Sequence, residues 1–148
     1  MLHRTEKENT HRERRGFTES AEINSLTNEI IGCAIIVHKR LGAGLLENVY
    51  RQCLVHEISK KNFLAQQEVS VPLEYDNLKF ETGFRADIIV NNTLLIEVKS
   101  VERIMDVHKA QTLTYIKMLE YPVGLLINFR EPLLKNGIHR FINNLDNK

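Results

Sequence analysis

Asp87, Glu97 and Lys99 lie within one short stretch whose other side chains are largely apolar. On a strand, Glu97 and Lys99 share one face while Leu94, Ile96 and Val98 take the other. The sheet receiving that strand is expected to be covered on both sides, where a charge is costly unless paired or bound to a cation. Asn91, Asn92 and Thr93 read as a hairpin loop. A three-residue loop sets Val90 against Leu94, Ile88 against Ile96, Asp87 against Glu97 and Arg85 against Lys99. A two-residue loop would send Asp87 and Glu97 to opposite faces. The odd loop gathers the charges and leaves Ile88, Val90, Leu94, Ile96 and Val98 for the core, so it is the register expected.

Facing carboxylates repel unless something positive lies between them. A hard divalent cation such as Mg²⁺ takes one or two carboxylates with waters and substrate phosphates. It generates hydroxide and steadies a phosphoryl group in transfer, while a lysine orients the water or offsets charge. By residue type alone, this spacing serves a salt-bridged surface hairpin equally well.

The flanking elements must hold these side chains. Ile30, Ala34, Val37 and Leu41 recur at helical spacing from about Ser25, and Gly42-Ala43-Gly44 breaks the helix. A second helix runs from Leu45 to about Lys60, with Leu46, Val49, Tyr50, Cys53, Leu54 and Ile58 inward. The period then falls to two over Val69 to Tyr75, with Pro72 marking an edge or a bulge. Asp76-Asn77 turns the chain into a strand near Leu78 to Thr82. Phe84 to Val90 and Leu94 to Lys99 follow as two more. Asp106 is placed as the cap of a helix to about Leu119, which Tyr121-Pro122 closes. Val123 to Asn128 and Ile138 to Ile142 complete the strands. The order gives an α/β fold, a central mixed β-sheet flanked by helices.

The 148 residues (17.2 kDa) suffice for one domain with a core of its own. Residues 1–18 read as a flexible charged tail and 19–148 as a single domain. Residues 1–16 hold five basic and three acidic side chains and almost nothing apolar. A net charge of +1 excludes both a polybasic coat and an acidic solvating protein. Nucleic acid therefore needs a local basic patch or a bound cation. Cys33 and Cys53 fit no disulfide framework or zinc spacing, and no apolar run reaches a membrane span. With no signal-like start, a cytoplasmic location is expected.

Asp87, then Glu97-Val98-Lys99, then Gln111 in the following helix resembles the PD-(D/E)XK nuclease superfamily. Gly44-Leu45-Leu46-Glu47-Asn48-Val49-Tyr50 resembles the motif that names its GxxExxY family. The likeness extends through Val37-His38-Lys39-Arg40-Leu41-Gly42, Arg85-Ala86-Asp87, His108-Lys109-Ala110-Gln111 with Tyr115, and Gly124 to Phe129. It covers roughly residues 27 to 142. Ala43 departs from it, standing where a proline is common. The proline of the superfamily name is also missing before Asp87.

The resemblance implies a PD-(D/E)XK nuclease-like core and a set of roles. Glu47 would be the helix-borne carboxylate that reaches the metal. Asp87 and Glu97 would be direct ligands, with the Val98 carbonyl as another. Lys99 would be the catalytic lysine, and Gln111 would help position the lysine or the water. The implied cofactor is Mg²⁺, with Mn²⁺ able to substitute, and the implied substrate is nucleic acid, DNA before RNA. Specificity would then come from a protein partner or from homodimerisation.

Each of these residues also has a plainer use. Glu47 and Arg51 form an ordinary i,i+4 pair. His108 either contacts phosphate or fills a polar rim, and it shares a helix face with Gln111 and Tyr115. Arg85 either contacts phosphate or balances the carboxylates. Lys109 and Tyr115 join the substrate-binding candidates, whereas Tyr50 reads as core and His38 as a hydrogen-bonded structural histidine. The alternative function is a non-cleaving module that binds nucleic acid or protein on a nuclease fold.

Overall fold

A computed structural model describes residues 2–144, with side chains from 20 to 144. The expected tail at 1–18 falls outside the residues whose side chains are described. The chain divides into two compact units, Met1–Gly32 and Cys33–Lys148. In the first, the described residues belong to α1 (Leu2–Leu41), where the Thr27 hydroxyl donates to the Ile23 carbonyl at 2.7 Å.

The second unit holds the last turns of α1, then α2 (Glu47–Lys60), β1 (Ala65–Tyr75), β2 (Leu78–Val90) and β3 (Leu94–Lys99). These are followed by α3 (Asp106–Leu119), β4 (Val123–Asn128), a single 3-10 turn and β5 (Ile138–Ile142). One mixed sheet runs β1-β2-β3-β4-β5. Only β3 and β4 are parallel, which is why a helix, α3, must return the chain between them. The α/β class, a mixed sheet flanked by helices, is as expected.

The odd register is also present: Ile88 pairs with Ile96, Ile89 with Leu95 and Val90 with Leu94. Asn91 and Asn92 both take φ +51°, and the Thr93 N–H donates to the Val90 carbonyl at 3.0 Å. Asparagine tolerates this left-handed backbone better than most residues, so the tight loop forms where two of them stand together.

Three expectations need correction, the first being Leu46, which is exposed at the start of α2 and does not face inward. The strands near Leu78–Thr82 and Phe84–Val90 are one strand, because Gly83 does not interrupt it. Opposite Pro72, residues 81–83 face a single residue of β1, and a side chain on Gly83 would run into Leu73. Glycine here permits the close approach of β1 through a bulge. Asp106 is the first helical residue of α3 and does not cap it. The Met105 N–H at the helix start donates to Nδ1 of His108 at 2.9 Å.

One face of the sheet carries Ala86, Ile89 and Leu95, packed under Ile116 of α3. The helix sits close because Gly124 of β4 lies beneath it; a Cβ there would come within 2.6 Å of Ile116. On β4, all six residues are buried, the pattern of a central strand covered on both sides.

Candidate functional site

Glu47 owes its place to the loop before it. Gly42 (φ +73°) and Gly44 (φ +100°) take conformations that other residues resist. The buried Tyr50 fastens the loop, its hydroxyl donating to the Gly42 carbonyl at 2.5 Å and accepting the Leu45 N–H at 3.1 Å. Its ring stacks on Phe129 with centroids 4.6 Å apart. Tyr50 is thus a core residue, as expected, and its hydroxyl sets where α2 begins. Glu47, the first residue of α2, accepts the Ser100 N–H at 3.2 Å, and the Ser100 hydroxyl donates to the Leu45 carbonyl at 2.7 Å. Arg51 is not Glu47's partner; it reaches Asn48, Gln67 and Glu68.

Asp87 stands where the phase of β2 changes. Ala86 and Ile89, three residues apart, enter the same core cluster, which strict alternation forbids. Across the strand pair Glu68 takes φ +50°, and the regular pairing skips Glu68 and Asp87. The Asp87 carboxylate substitutes for the next rung of the β2–β3 ladder, Oδ2 accepting the Val98 N–H at 2.8 Å. The Asp87 N–H donates to Oε1 of Glu97 at 3.3 Å. Irregularities of this kind re-aim side chains beside functional sites.

Glu97 is only 3% exposed. Burial first, and the Asp87 charge second, push its carboxyl up to about 9, and the Lys99 ammonium opposes the shift. One of two adjacent carboxyls therefore holds a proton at neutral pH.

Tyr115 of α3 belongs to the same group. Burial, Glu97 and Asp87, in that order, raise its phenol pKa, and a hydrogen bond with Gln111 works against the rise. The Tyr115 ring stacks on Phe84, centroids 4.0 Å apart. Asp87, Glu97, Lys99, Gln111 and Tyr115 are brought together.

Other candidates stand elsewhere. His108 gives Nδ1 to the Met105 N–H, a helix-end role. Lys109 acts on His139, whose pKa is lowered by burial and then by that ammonium. Arg85 is exposed and pairs with Ser70 of β1, while Lys99 pairs with Asn128; the expected Arg85–Lys99 rung is not part of the β2–β3 ladder. His38 bonds through Nε2 to the Glu131 carbonyl at 2.8 Å, a structural histidine as expected.

Two positioning residues escaped the sequence reading. One is Ser100, whose only signal is its place directly after Lys99. The other is Asn128, a buried polar residue ending an apolar strand. Its Oδ1 accepts the Val101 N–H at 3.0 Å and its Nδ2 donates to the Val101 carbonyl at 2.8 Å, fixing the exit from β3.

Of Glu47, Asp87 and Glu97, which the resemblance places on one metal, Asp87 and Glu97 stand together and Glu47 does not complete the group. Among the described residues, no three of His, Cys, Asp and Glu stand close enough to hold one ion. Glu47 instead accepts the Ser100 N–H. The remaining pair still fits a hard divalent cation, which needs one or two carboxylates, its other positions going to water and substrate. Such a cation would take the place of the proton on the buried pair.

No helix among the described residues is long and apolar enough to cross a membrane. No curated protein and no solved structure matches the chain. The family model of the PD-(D/E)XK nuclease superfamily matches residues 24–141. With the match running over most of the chain, from α1 to β5, and the Asp87–Glu97–Lys99 group on its central strands, the chain belongs to the PD-(D/E)XK nuclease superfamily.

Proposed function

We propose that the protein is a Mg²⁺-dependent nuclease that hydrolyses phosphodiester bonds in DNA, and that it falls in the GxxExxY group. The observation that carries this reading is the buried Asp87–Glu97 pair, one carboxyl raised to about 9, with Lys99 at the end of the same strand. A divalent cation can take the place of the proton that this buried pair otherwise shares. The Gly44, Glu47 and Tyr50 arrangement supports the finer assignment, since Tyr50 anchors the loop that delivers Glu47.

A bound divalent cation supplies Lewis acidity toward a phosphoryl oxygen and an acidified water. Asp87 and Glu97 would hold it, with the Val98 carbonyl as a further oxygen. Lys99 offsets the charge that builds on the phosphoryl oxygens. Gln111 and Tyr115 orient the lysine or the water through the hydrogen bond they share. Glu47, held on the Ser100 N–H at the start of α2, is proposed as the helix-borne carboxylate that reaches the metal from outside the pair. Arg85, His108 and Lys109 are proposed as outlying phosphate contacts; His108 retains Nε2 for that purpose, since Nδ1 is engaged.

The reading is tested by incubating the protein with linear, circular, single-stranded and branched DNA in Mg²⁺ and Mn²⁺. Cleavage in at least one substrate, abolished by EDTA, is expected. Tight binding without cleavage under either metal would favour the binding-module alternative.

A further inference from the structure

The loop from β3 to α3 and the segment after β4 enclose a cleft of about 710 Å³ lined by Glu102, Arg103, Met105 and Glu131. It opens at the C-terminal ends of the two parallel strands, the place where open sheets commonly bind ligands. Lys99 and Asn128 are the last facing pair of those strands, and Asn128 grips Val101 from both sides. The loop therefore leaves β3 in a fixed direction. Arg103 follows Lys99 by four residues, a chain span of at most about 14 Å. One strand of nucleic acid leaving the carboxylate pair can reach it.

The chemistry of the lining is specific. Arg103 is exposed, and its guanidinium donates to the Met105 sulfur at 3.9 Å, a weak acceptor. Among the described residues no ion pair joins it to Glu102 or Glu131, although both line the same cleft. Its remaining donors form the planar fork that matches a phosphate. Met105 is 46% exposed and offers a polarizable apolar surface. The two carboxylates admit one phosphate at Arg103 and repel a second, and they accept hydrogen bonds from amino groups.

We propose that this cleft seats a nucleotide flanking the scissile phosphate. Arg103 takes its phosphate, Met105 lies against the base, and Glu102 and Glu131 accept from an exocyclic amino group. Cytosine, adenine or guanine is then favoured over thymine, which has no such group. The inference rests on the nuclease reading above.

The test is binding of short labelled oligonucleotides, all cytosine or all thymine, by Lys99→Ala protein in Mg²⁺, followed by fluorescence anisotropy. The all-cytosine strand should bind about tenfold more tightly, the size of one good base contact. Arg103→Ala should weaken both strands by a similar factor of about ten. Glu102→Gln with Glu131→Gln should erase the cytosine preference while keeping the Arg103-dependent part. Unchanged melting curves show that each variant is folded. Arg103→Ala protein that binds both strands as before, or a double variant that keeps the preference, overturns the proposal. If the parent protein cleaves DNA while either of these results is found, the cleft alone is wrong. If neither strand binds and no DNA is cut, both readings fall.

Discussion

The backbone N–H of Asp87 donates to Oε1 of Glu97 at 3.3 Å, so two acidic residues ten positions apart are joined at the point where the β2–β3 ladder ends. Their proximity is set by the three-residue loop at Asn91–Thr93 and by the change of phase at Asp87. Glu97 is buried on a strand whose apolar residues are all core, and the Asp87 carboxylate occupies the Val98 N–H. The pair is an electrostatic liability in the folded chain, and three expectations come from that liability and from the way Glu47 is held.

Stability should fall as pH rises through the neutral range. The Glu97 carboxyl sits near 4.5 when unfolded and at about 9 when folded, so the native state binds the extra proton between those values. Its stabilising contribution is complete below pH 4.5 and is lost as pH climbs toward 9, with a slope of at most about 1.4 kcal/mol per pH unit for one proton. His139 has the opposite sign, its pKa being lowered on folding, and its gain in stability accrues as pH rises toward the ordinary histidine value and is complete above it. Thermal melts of the parent and Glu97→Gln from pH 5 to 8.5 separate the two. The variant should gain on the parent steadily with pH, and parallel curves would exclude the buried proton.

Divalent metal should raise the melting temperature, most at alkaline pH where the proton competes least. A ligand at a hundred times its dissociation constant adds about 2.7 kcal/mol to a folded state that alone binds it. Millimolar Mn²⁺ is therefore expected to shift the midpoint by several degrees in the parent and not in Asp87→Ala. A melting curve indifferent to Mn²⁺ would count against a competent site.

Tyr50→Phe should weaken the fold and the site together. The hydroxyl both donates to the Gly42 carbonyl and accepts the Leu45 N–H. Losing two partly buried hydrogen bonds costs about 1–3 kcal/mol. Urea unfolding should show that loss, and DNA cleavage should drop as Glu47 loses its setting. A variant as stable and as active as the parent would remove the hydroxyl from the design of the loop.

Much of this arrangement was legible in the sequence for a physical reason. Only one register of the Asn91–Thr93 hairpin keeps Ile88, Ile96 and Val98 in the core while placing Asp87 with Glu97, and that register is the one found. Burial penalties made the choice. Elements whose limits depend on cross-strand contact were not legible: Gly83 looks like a break until Leu73 is seen pressed against it. The destination of Glu47 was equally hidden, because it depends on a backbone N–H at Ser100, fifty-three residues away. Side chains disclose their charge, whereas the backbone group that will receive them is fixed only by the fold. His108 illustrates the same point, its ring nitrogen having been taken by the Met105 N–H at the start of its own helix.

Cleavage of DNA by the parent, Asp87→Ala and Lys99→Ala proteins in Mn²⁺, with binding measured in parallel, tests the central claim most directly. Metal activation and electrostatic stabilisation each lower the barrier by several kcal/mol, so each variant should lose cleavage by about a hundredfold or more. Affinity should change far less, since it is spread over many phosphate contacts. Equal cleavage by all three proteins would place the activity outside the Asp87–Glu97–Lys99 group and contradict the assignment.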